Sequence, residues 1–454
     1  MNLKMSKEVD LGKEPVRRLL FTLAVPAITS QVVNALYNVV DRMYIGHIPE
    51  AGPAALTGVG ICFPLIMIIS AFASLIGMGG APRASIFMGK KDNGTAEKIM
   101  GNCFSALILT ALILTPIVLI FKEPLLYLFG ASKNTIVFAE NYITIYAVGT
   151  IFVQLTLGMN TFISAQGFSK ISMLTVIIGA VTNIILDPIF IFGFNMGVQG
   201  AALATVLSQA VSAVWAVRFL AGRNTVLRLK KKNLRIAPSL LLPCIALGTA
   251  PFIMVSTESL LVLCFNSSLL KYGGDLAVGA MTILSSIMQF AMLPLQGITQ
   301  GGQPIISYNY GANNIGRVKQ AFKLQTAACC SYAAIIWLTA ELAPSVLVSV
   351  FTSDPQLSEL SQWALRIYMA GVVLMGLQLS CQQSFIAFGN AKISSFLAIF
   401  RKILVLIPLI YILPMFLSDN VQAVFLAEPI ADAIAVTTTV TLFMINFKKM
   451  QKAR

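Results

Sequence analysis

Twelve apolar blocks follow one another along the chain, and each is long enough to cross a membrane as a helix. The apolar core of a bilayer is about 30 Å thick, so a spanning helix needs ~20 mostly apolar residues. Only 11% of the 454 residues are charged, which is too few to cover a water-facing surface. The sequence therefore predicts an all-α polytopic membrane protein with twelve transmembrane helices, and it excludes a water-soluble enzyme. The predicted spans cover residues 17–44, 54–80, 97–120, 136–163, 171–193, 198–220, 238–265, 276–300, 317–340, 360–387, 393–416 and 421–447.

Basic residues fall mostly on one side of these blocks. Of the 32 lysines and arginines, 27 lie in or next to the termini, the even-numbered loops or the linker at 221–237, with Arg401 and Lys402 counted among the loop residues. Loops rich in Lys and Arg remain in the cytoplasm. Both termini are therefore expected to be cytoplasmic, in a cell (plasma) membrane. Because topology accounts for the net charge of +14, no nucleic-acid partner is predicted.

The sequence offers little for a resident cofactor. It contains one histidine, His47, and its seven cysteines lie in apolar stretches without metal-ligand spacing. The Gly-x-x-x-x-Gly-Lys-Ser/Thr phosphate loop is missing from the sequence, so ATP is not expected to supply energy through that motif. We predict no cofactor other than a coupling ion.

An internal repeat relates the two halves of the chain. The segment Gly79-Gly80-Ala81-Pro82 recurs as Gly301-Gly302-Gln303-Pro304, at an offset of 222 residues. The same offset pairs Ile145-Tyr146 with Ile367-Tyr368, Gly149 with Gly371, Gly167 with Gly389 and Lys170 with Lys392. Repeats with an even number of helices are parallel and enclose a binding site at their interface. We predict two pseudo-symmetric six-helix bundles: an N-lobe at 1–220, a cytoplasmic basic linker at 221–237 and a C-lobe at 238–454.

Polar side chains in the first half cluster on three predicted spans. Ionisable residues at membrane depth are costly, so they are functional candidates by default. Carboxylate, amide and hydroxyl oxygens suit a small hard cation such as Na⁺, whereas hydrogen-bonded glue between helices is the alternative for the asparagines and the threonine. The residues are Gln31, Asn34, Tyr37 and Asp41 along the first span, Asn183 and Asp187 four residues apart on the fifth, and Ala201 and Thr205 four residues apart on the sixth.

Three further acids lie in predicted spans of the second half. Glu258 follows Pro251 by seven residues in the seventh span, and Glu428 and Asp432 are four residues apart in the last span. Together with Gln31 and Asn34, these acids are candidates for contact with a substrate or a proton. A structural network with neighbouring polar groups is the competing interpretation.

Taken together, these features resemble the multidrug and toxic compound extrusion (MATE) transporters, in particular their bacterial MepA-like branch. Pro26, Asp41 and the run Asn183-x-x-x-Asp187-Pro188 look like signatures of that family. The resemblance implies a cation-coupling site for Na⁺ or H⁺ at Asp41, Asn183, Asp187 and Thr205, with the Ala201 carbonyl as a ligand and Tyr37 beside it. Some relatives carry an acid in the tenth span, where this chain has Gln378, Gln382 and Gln383.

The resemblance implies a secondary active transporter and not an enzyme. The expected activity is export of amphipathic, mostly cationic drugs by antiport with Na⁺ or H⁺ through alternating access, and the expected partners are small-molecule drugs, organic cations and the lipid bilayer. The protein is expected to function as a monomer. Two alternatives remain open, namely a flippase for a lipid-linked saccharide and an integral-membrane lipid-modifying enzyme.

Overall fold

The structure is a computed structural model that describes residues 9–49 and 51–452, and its regular secondary structure within these residues is entirely helical. Two π-helical segments, Ile189–Gly193 and Phe400–Leu406, extend α6 and join α13 to α14. Short 3₁₀ turns occupy Lys231–Asn233 and Leu413–Met415. The α-helices are α1 Val16–Gly46, α2 Gly52–Gly89, α3 Asn93–Leu128, α4 Ile136–Val148, α5 Thr150–Ala165, α6 Ser169–Pro188, α7 Val198–Ala221, α8 Pro238–Gly311, α9 Ile315–Leu342, α10 Pro344–Ser349, α11 Pro355–Tyr368, α12 Val372–Ala387, α13 Ala391–Ile399, α14 Ile407–Ile412 and α15 Asn420–Lys452.

The helices supply twelve membrane crossings. Nine helical segments of the described chain are individually long and apolar enough to span, and the pairs α4–α5 and α11–α12, bent by 58° and 47°, raise the number to eleven. The 74-residue α8 is broken at Gly274, where φ is 63° and ψ is −162°. An unbroken helix of that length would measure about 110 Å, far more than a membrane is thick, so α8 crosses twice. The twelve predicted spans are confirmed.

The internal repeat extends to backbone conformation. Lys91 and Asn313, which are 222 residues apart, both adopt positive φ values, of 62° and 59°. The next residues, Asp92 and Asn314, cap the N-termini of α3 and α9 by accepting a hydrogen bond from the backbone N–H three positions later. Further matched pairs are Gly167 and Gly389, with φ values of 87° and 74°, and Gly149 and Gly371 at the bends of the broken spans. The halves therefore share turn geometry as well as helix order.

The first glycine of each Gly-Gly motif lies where the two halves contact each other. A Cβ atom at Gly79 would come within 2.7 Å of the Gly248 backbone nitrogen in α8. A Cβ atom at Gly301, in α8, would come within 2.5 Å of Ala24 in α1. Helix backbones can approach this closely only where the residues at the contact are small. The first glycine of the motif in each half therefore forms a close contact with the other half.

The second glycine of each motif packs within its own half. A Cβ atom at Gly80 would lie 2.8 Å from the Phe162 ring, and one at Gly302 would overlap the Gln325 side chain. Each Gly-Gly pair therefore serves two contacts at once, one between the halves and one inside a bundle. This double role explains why the motif recurs at equivalent positions.

Contacts between the halves lie toward the end that carries both chain termini. There, Leu11, Leu19 and Leu23 share a buried apolar cluster with Ile305 and Ile306. Toward the opposite end, the large buried clusters stay within one half: one joins residues from 45 to 202 and the other joins residues from 261 to 431. The two bundles therefore separate away from the termini and leave a cleft between them.

The segment predicted as a linker, 221–237, is held against the first half. The Leu227 backbone N–H donates to Gln166 Oε1 at 2.7 Å, and Lys230 forms an ion pair with Glu97 at 2.6 Å. Leu227 is fully buried. The segment is thus a packed strap across the ends of α3 and α5 and not a loose tether.

We expect Gly79→Val to destabilise the contact between the halves, whereas Gly60→Val should be tolerated. Both glycines lie in α2, but no atom lies within 4 Å of a Cβ built at Gly60. Overpacking of a close contact typically costs about 1–3 kcal/mol. The check is the thermal unfolding midpoint of each purified variant in detergent. Equal midpoints for the two variants would show that Gly79 does not form a close contact between the halves.

Candidate cation site

Two aspartates from different helices meet inside the first bundle. Asp41 near the end of α1 and Asp187 at the end of α6 have carboxyl groups within hydrogen-bonding distance of each other. Asn183, one turn before Asp187, donates from Nδ2 to Asp187 Oδ1 at 3.1 Å. The exposed fractions are 8% for Asp41, 1% for Asn183 and 0% for Asp187. The structure thus brings together three of the residues predicted to bind a cation.

This group has more oxygen atoms than hydrogen-bond donors. Asp41 Oδ1, Asn183 Oδ1 and Asp187 Oδ2 are buried and have no hydrogen-bond partner among the described residues. Two adjacent carboxylates in a low-dielectric site cannot both stay charged without compensation. A proton shared by the pair would compensate, and so would a small hard cation held by the free oxygens. The donor set fits either H⁺ or Na⁺.

The other predicted members of the site lie close by with different partners. Tyr37 lies near enough to Asp41 and Asp187 to interact electrostatically with both. The Thr205 side chain, on α7, lies close enough to the Tyr142 hydroxyl to interact with it. Ala201 is fully buried on the same helix, one turn earlier. Thr205 therefore contacts the site's tyrosine in this conformation, and its hydroxyl forms no hydrogen bond with either aspartate.

Two tyrosines of α4 border the site and were missed by sequence reasoning. Tyr142 stacks on Tyr146 with 6.2 Å between ring centroids, and both are buried. Tyr142 also interacts electrostatically with Asp41. One signal was available, because Tyr146 is matched to Tyr368 in the internal repeat, but the repeat by itself assigns no role to either residue.

Gln31 and Asn34 stay apart from the carboxyl pair. Asn34 is exposed, and its backbone carbonyl accepts a hydrogen bond from Asn38 at 2.7 Å. Gln31 is half-buried, and neither side chain forms a hydrogen bond with Asp41 or Asp187. Both lie on α1 nearer the contact between the halves than Asp41. They remain candidates for contact with a substrate only.

The acids of the second half are paired with two buried bases. Arg401 donates from Nε to Asp432 Oδ1 at 2.9 Å and from Nη2 to Glu428 Oε1 at 2.8 Å. Lys402 forms an ion pair with Glu258 and donates to the Met254 carbonyl at 2.7 Å. The lysine side chain is 6% exposed and that of Glu258 is 63% exposed.

The assignment of Arg401 and Lys402 to a cytoplasmic loop was therefore wrong. Arg401 follows Ala391, the start of the helical segment Ala391–Met415, by ten residues, which corresponds to about 15 Å of helix. Buried bases at this depth are stabilised by acids on neighbouring helices, and a sequence count of charges cannot detect such partners.

The chain is similar in sequence to known membrane proteins along most of its length. The family model described as MatE matches residues 26–189 and 251–412, one block in each half of the chain. The multidrug export protein MepA of Staphylococcus haemolyticus (strain JCSC1435) is 25% identical over 421 residues, covering 92% of both chains. The protein of the same name from Staphylococcus aureus (strain N315) is 25% identical over 401 residues, covering 88% of both chains.

Solved structures show the same fold. The crystal structure of MATE in the bent conformation gives a TM-score of 0.92 at 22% identity and covers 99% of both chains. An outward-facing multidrug resistance MATE family transporter gives a TM-score of 0.90 at 22% identity, covering 99% of this chain and all of the other. The predicted architecture of twelve helices in two bundles is confirmed. Because the family model covers more than half of the sequence, in two blocks that correspond to its two halves, the chain belongs to the MatE family.

Proposed function

We propose that this protein is a secondary active multidrug efflux transporter that exports amphipathic, mostly cationic compounds by antiport with Na⁺ or H⁺. The observation that carries the proposal is the buried Asp41–Asp187 pair with its three unpartnered oxygens, in a chain of the MatE family. The MepA relatives named above are multidrug export proteins, and this chain matches them along most of its length.

The coupling mechanism follows from the charge of the pair. An ion entering from outside neutralises one of the two negative charges of Asp41 and Asp187, and Asn183 holds the Asp187 carboxyl in place. Loss of that charge alters the relative stability of the two orientations of the lobes, because the ion binds them with different affinity. Drug leaves on one side and the ion on the other as the cleft alternates. Thr205, Tyr37 and the Ala201 carbonyl complete an oxygen shell when the ion is Na⁺.

The substrate cleft lies between the lobes 1–220 and 238–454, and the segment 221–237 joins them. Glu258 exposes its carboxylate beyond the region where the halves touch. Gln31 and Asn34 line the same cleft from α1. An acidic side chain that lines the cleft favours organic cations, although Glu258 already forms an ion pair with Lys402. No resident cofactor is required, and a single chain contains both lobes and is the functional unit.

A flippase for a lipid-linked saccharide is the second candidate. An anionic pyrophosphate cargo would need free basic groups, but Arg401 and Lys402 each form ion pairs with acids. The buried charges of the membrane segments therefore disfavour an anionic cargo. Membership of a transporter family also leaves the lipid-modifying enzyme without support.

We expect Asp41→Asn and Asp187→Asn to reduce gradient-driven efflux to the level of protein-free liposomes. Each change removes a carboxylate that must bind and release the coupling ion. Ethidium efflux from proteoliposomes with an imposed Na⁺ or H⁺ gradient measures the effect, with Glu123→Gln as a control because Glu123 is exposed in the same lobe. Efflux at the wild-type rate in both variants would mean that the pair is structural.

We expect quaternary ammonium dyes to be exported faster than anionic dyes of similar size. Glu258→Gln should raise the half-saturating concentration of a cationic dye by at most about 5-fold. The reason is that an exposed ion pair, here between the dye and the Glu258 carboxylate, contributes up to about 1 kcal/mol. Transport kinetics in proteoliposomes test this, with the exposed Glu359→Gln as the control. Equal rates for anionic and cationic dyes would contradict the proposed substrate class.

We expect both termini and the segment 221–237 to be cytoplasmic in a bacterial plasma membrane. In a Cys330→Ser background, which removes the one cysteine that is not buried, a cysteine at Lys231 should resist a membrane-impermeant maleimide in intact cells and react in inverted vesicles. A cysteine at Lys133, exposed at the opposite end, should show the reverse. The opposite labelling pattern would invert the topology.

A further inference from the structure

The ion-pair cluster of the second lobe has one negative charge too many. Its acids are Glu258 on α8 and Glu428 and Asp432 on α15, and its bases are Arg401 and Lys402 on the π-helical segment. Among the described residues, the uncharged hydroxyl of Tyr368 on α11 also interacts with this cluster. If all five charged groups are ionised, three negative charges oppose two positive ones.

The excess negative charge lies on the two acids that share Arg401. Lys402 and Glu258 form one balanced pair, so Arg401 alone must neutralise both Glu428 and Asp432. Both of these acids are buried, and Asp432 Oδ2 has no hydrogen-bond partner among the described residues. An uncompensated charge in such surroundings is expensive. One added proton would leave each remaining charge with a partner.

The arginine also restricts which ion can be added. Its guanidinium contacts both carboxyl groups, through Nε and Nη2, at 2.7 to 2.9 Å. Because a guanidinium group is permanently protonated, it holds a positive charge where a metal ion between the two carboxylates would have to lie. A proton needs only one free oxygen, whereas Na⁺ needs several oxygen ligands around it. The first lobe has such free oxygens, and Arg42, which interacts electrostatically with Asp41, forms no ion pair with either aspartate.

We propose that Arg401, Glu428 and Asp432 form a second ion-coupling site, which binds one proton and excludes Na⁺. The proposal rests on the proposed function of ion-coupled export and adds a site in the second lobe. Glu428 and Asp432 share the proton, and Arg401 positions them. Glu258 provides access, because its side chain reaches solvent while Asp432 is fully buried.

The proposed proton site contacts the bend of a broken span. A Cβ atom built at Gly371 would lie 2.8 Å from Asp432 Oδ2, so this oxygen packs directly against the bend between α11 and α12. In the first lobe the matched residue, Gly149, lies at the equivalent bend and packs against Val206, next to Thr205. Each ion site therefore lies close to the break of a bent span.

Infrared difference spectroscopy of the purified protein in liposomes tests the proposal without requiring transport. On acidification we expect two protonation signals from buried carboxyl groups, of which the double variant Asp41→Asn/Asp187→Asn removes one. Glu428→Gln and Asp432→Asn should each remove the second signal, because the charge of the acid that remains is then balanced by Arg401. The exposed Glu359→Gln should retain both signals. If one of the two second-lobe variants fails to fold, the other is sufficient.

Addition of Na⁺ provides the second arm of the experiment. Na⁺ should displace the proton signal of the first lobe and leave the signal that depends on Glu428 and Asp432 unchanged. Retention of both signals in the folded second-lobe variants, or loss of the second-lobe signal with Na⁺, would overturn the proposal. Absence of dye efflux in the wild type, with both protonation signals intact, would instead contradict the proposed export function and leave the proton site standing.

Discussion

Burying carboxylates at membrane depth is the constraint on which the organisation of both bundles depends. The energetic cost of an ionised side chain away from water is large, so each buried acid needs a partner or a proton. In the first lobe, Asp41 and Asp187 are placed together with only one hydrogen bond donated by Asn183. In the second lobe, Arg401 and Lys402 supply internal cations. Two lobes that share a backbone plan thus solve the same electrostatic problem with different side chains.

This difference has consequences for ion selectivity. We expect the acid pair with free oxygens to accept either H⁺ or Na⁺, whereas the proposed site at the pair bridged by a guanidinium group takes only a proton. The pairing also limits the role of Glu258, since its carboxylate is shared with Lys402 before any substrate arrives. The proposed preference for cationic substrates would therefore depend on the balance of charges around the cleft more than on a single free acid.

Close helix contacts determine where the two lobes can meet. Gly79 and Gly301 allow backbones from opposite halves to approach at symmetric positions. Since these contacts lie toward the chain termini, they close one end of the molecule and leave the other end free to open. The strap formed by 221–237 is fixed to the first lobe by Glu97 and Gln166, so it adds a rigid edge at the closed end.

The sequence alone was sufficient to predict the twelve spans, because the length of a spanning helix is determined by the thickness of the bilayer. It also revealed the repeat, since the 222-residue offset preserves the glycines and turn residues on which close packing depends. The spacing of Asn183 and Asp187 predicted that they share a helix face. Tertiary structure alone decided which faces meet: it brought Tyr142 to Thr205 and paired Arg401 with acids 27 and 31 residues away. Charge pairing between helices depends on their packing in three dimensions, and a count of charges along the chain contains no information about that packing.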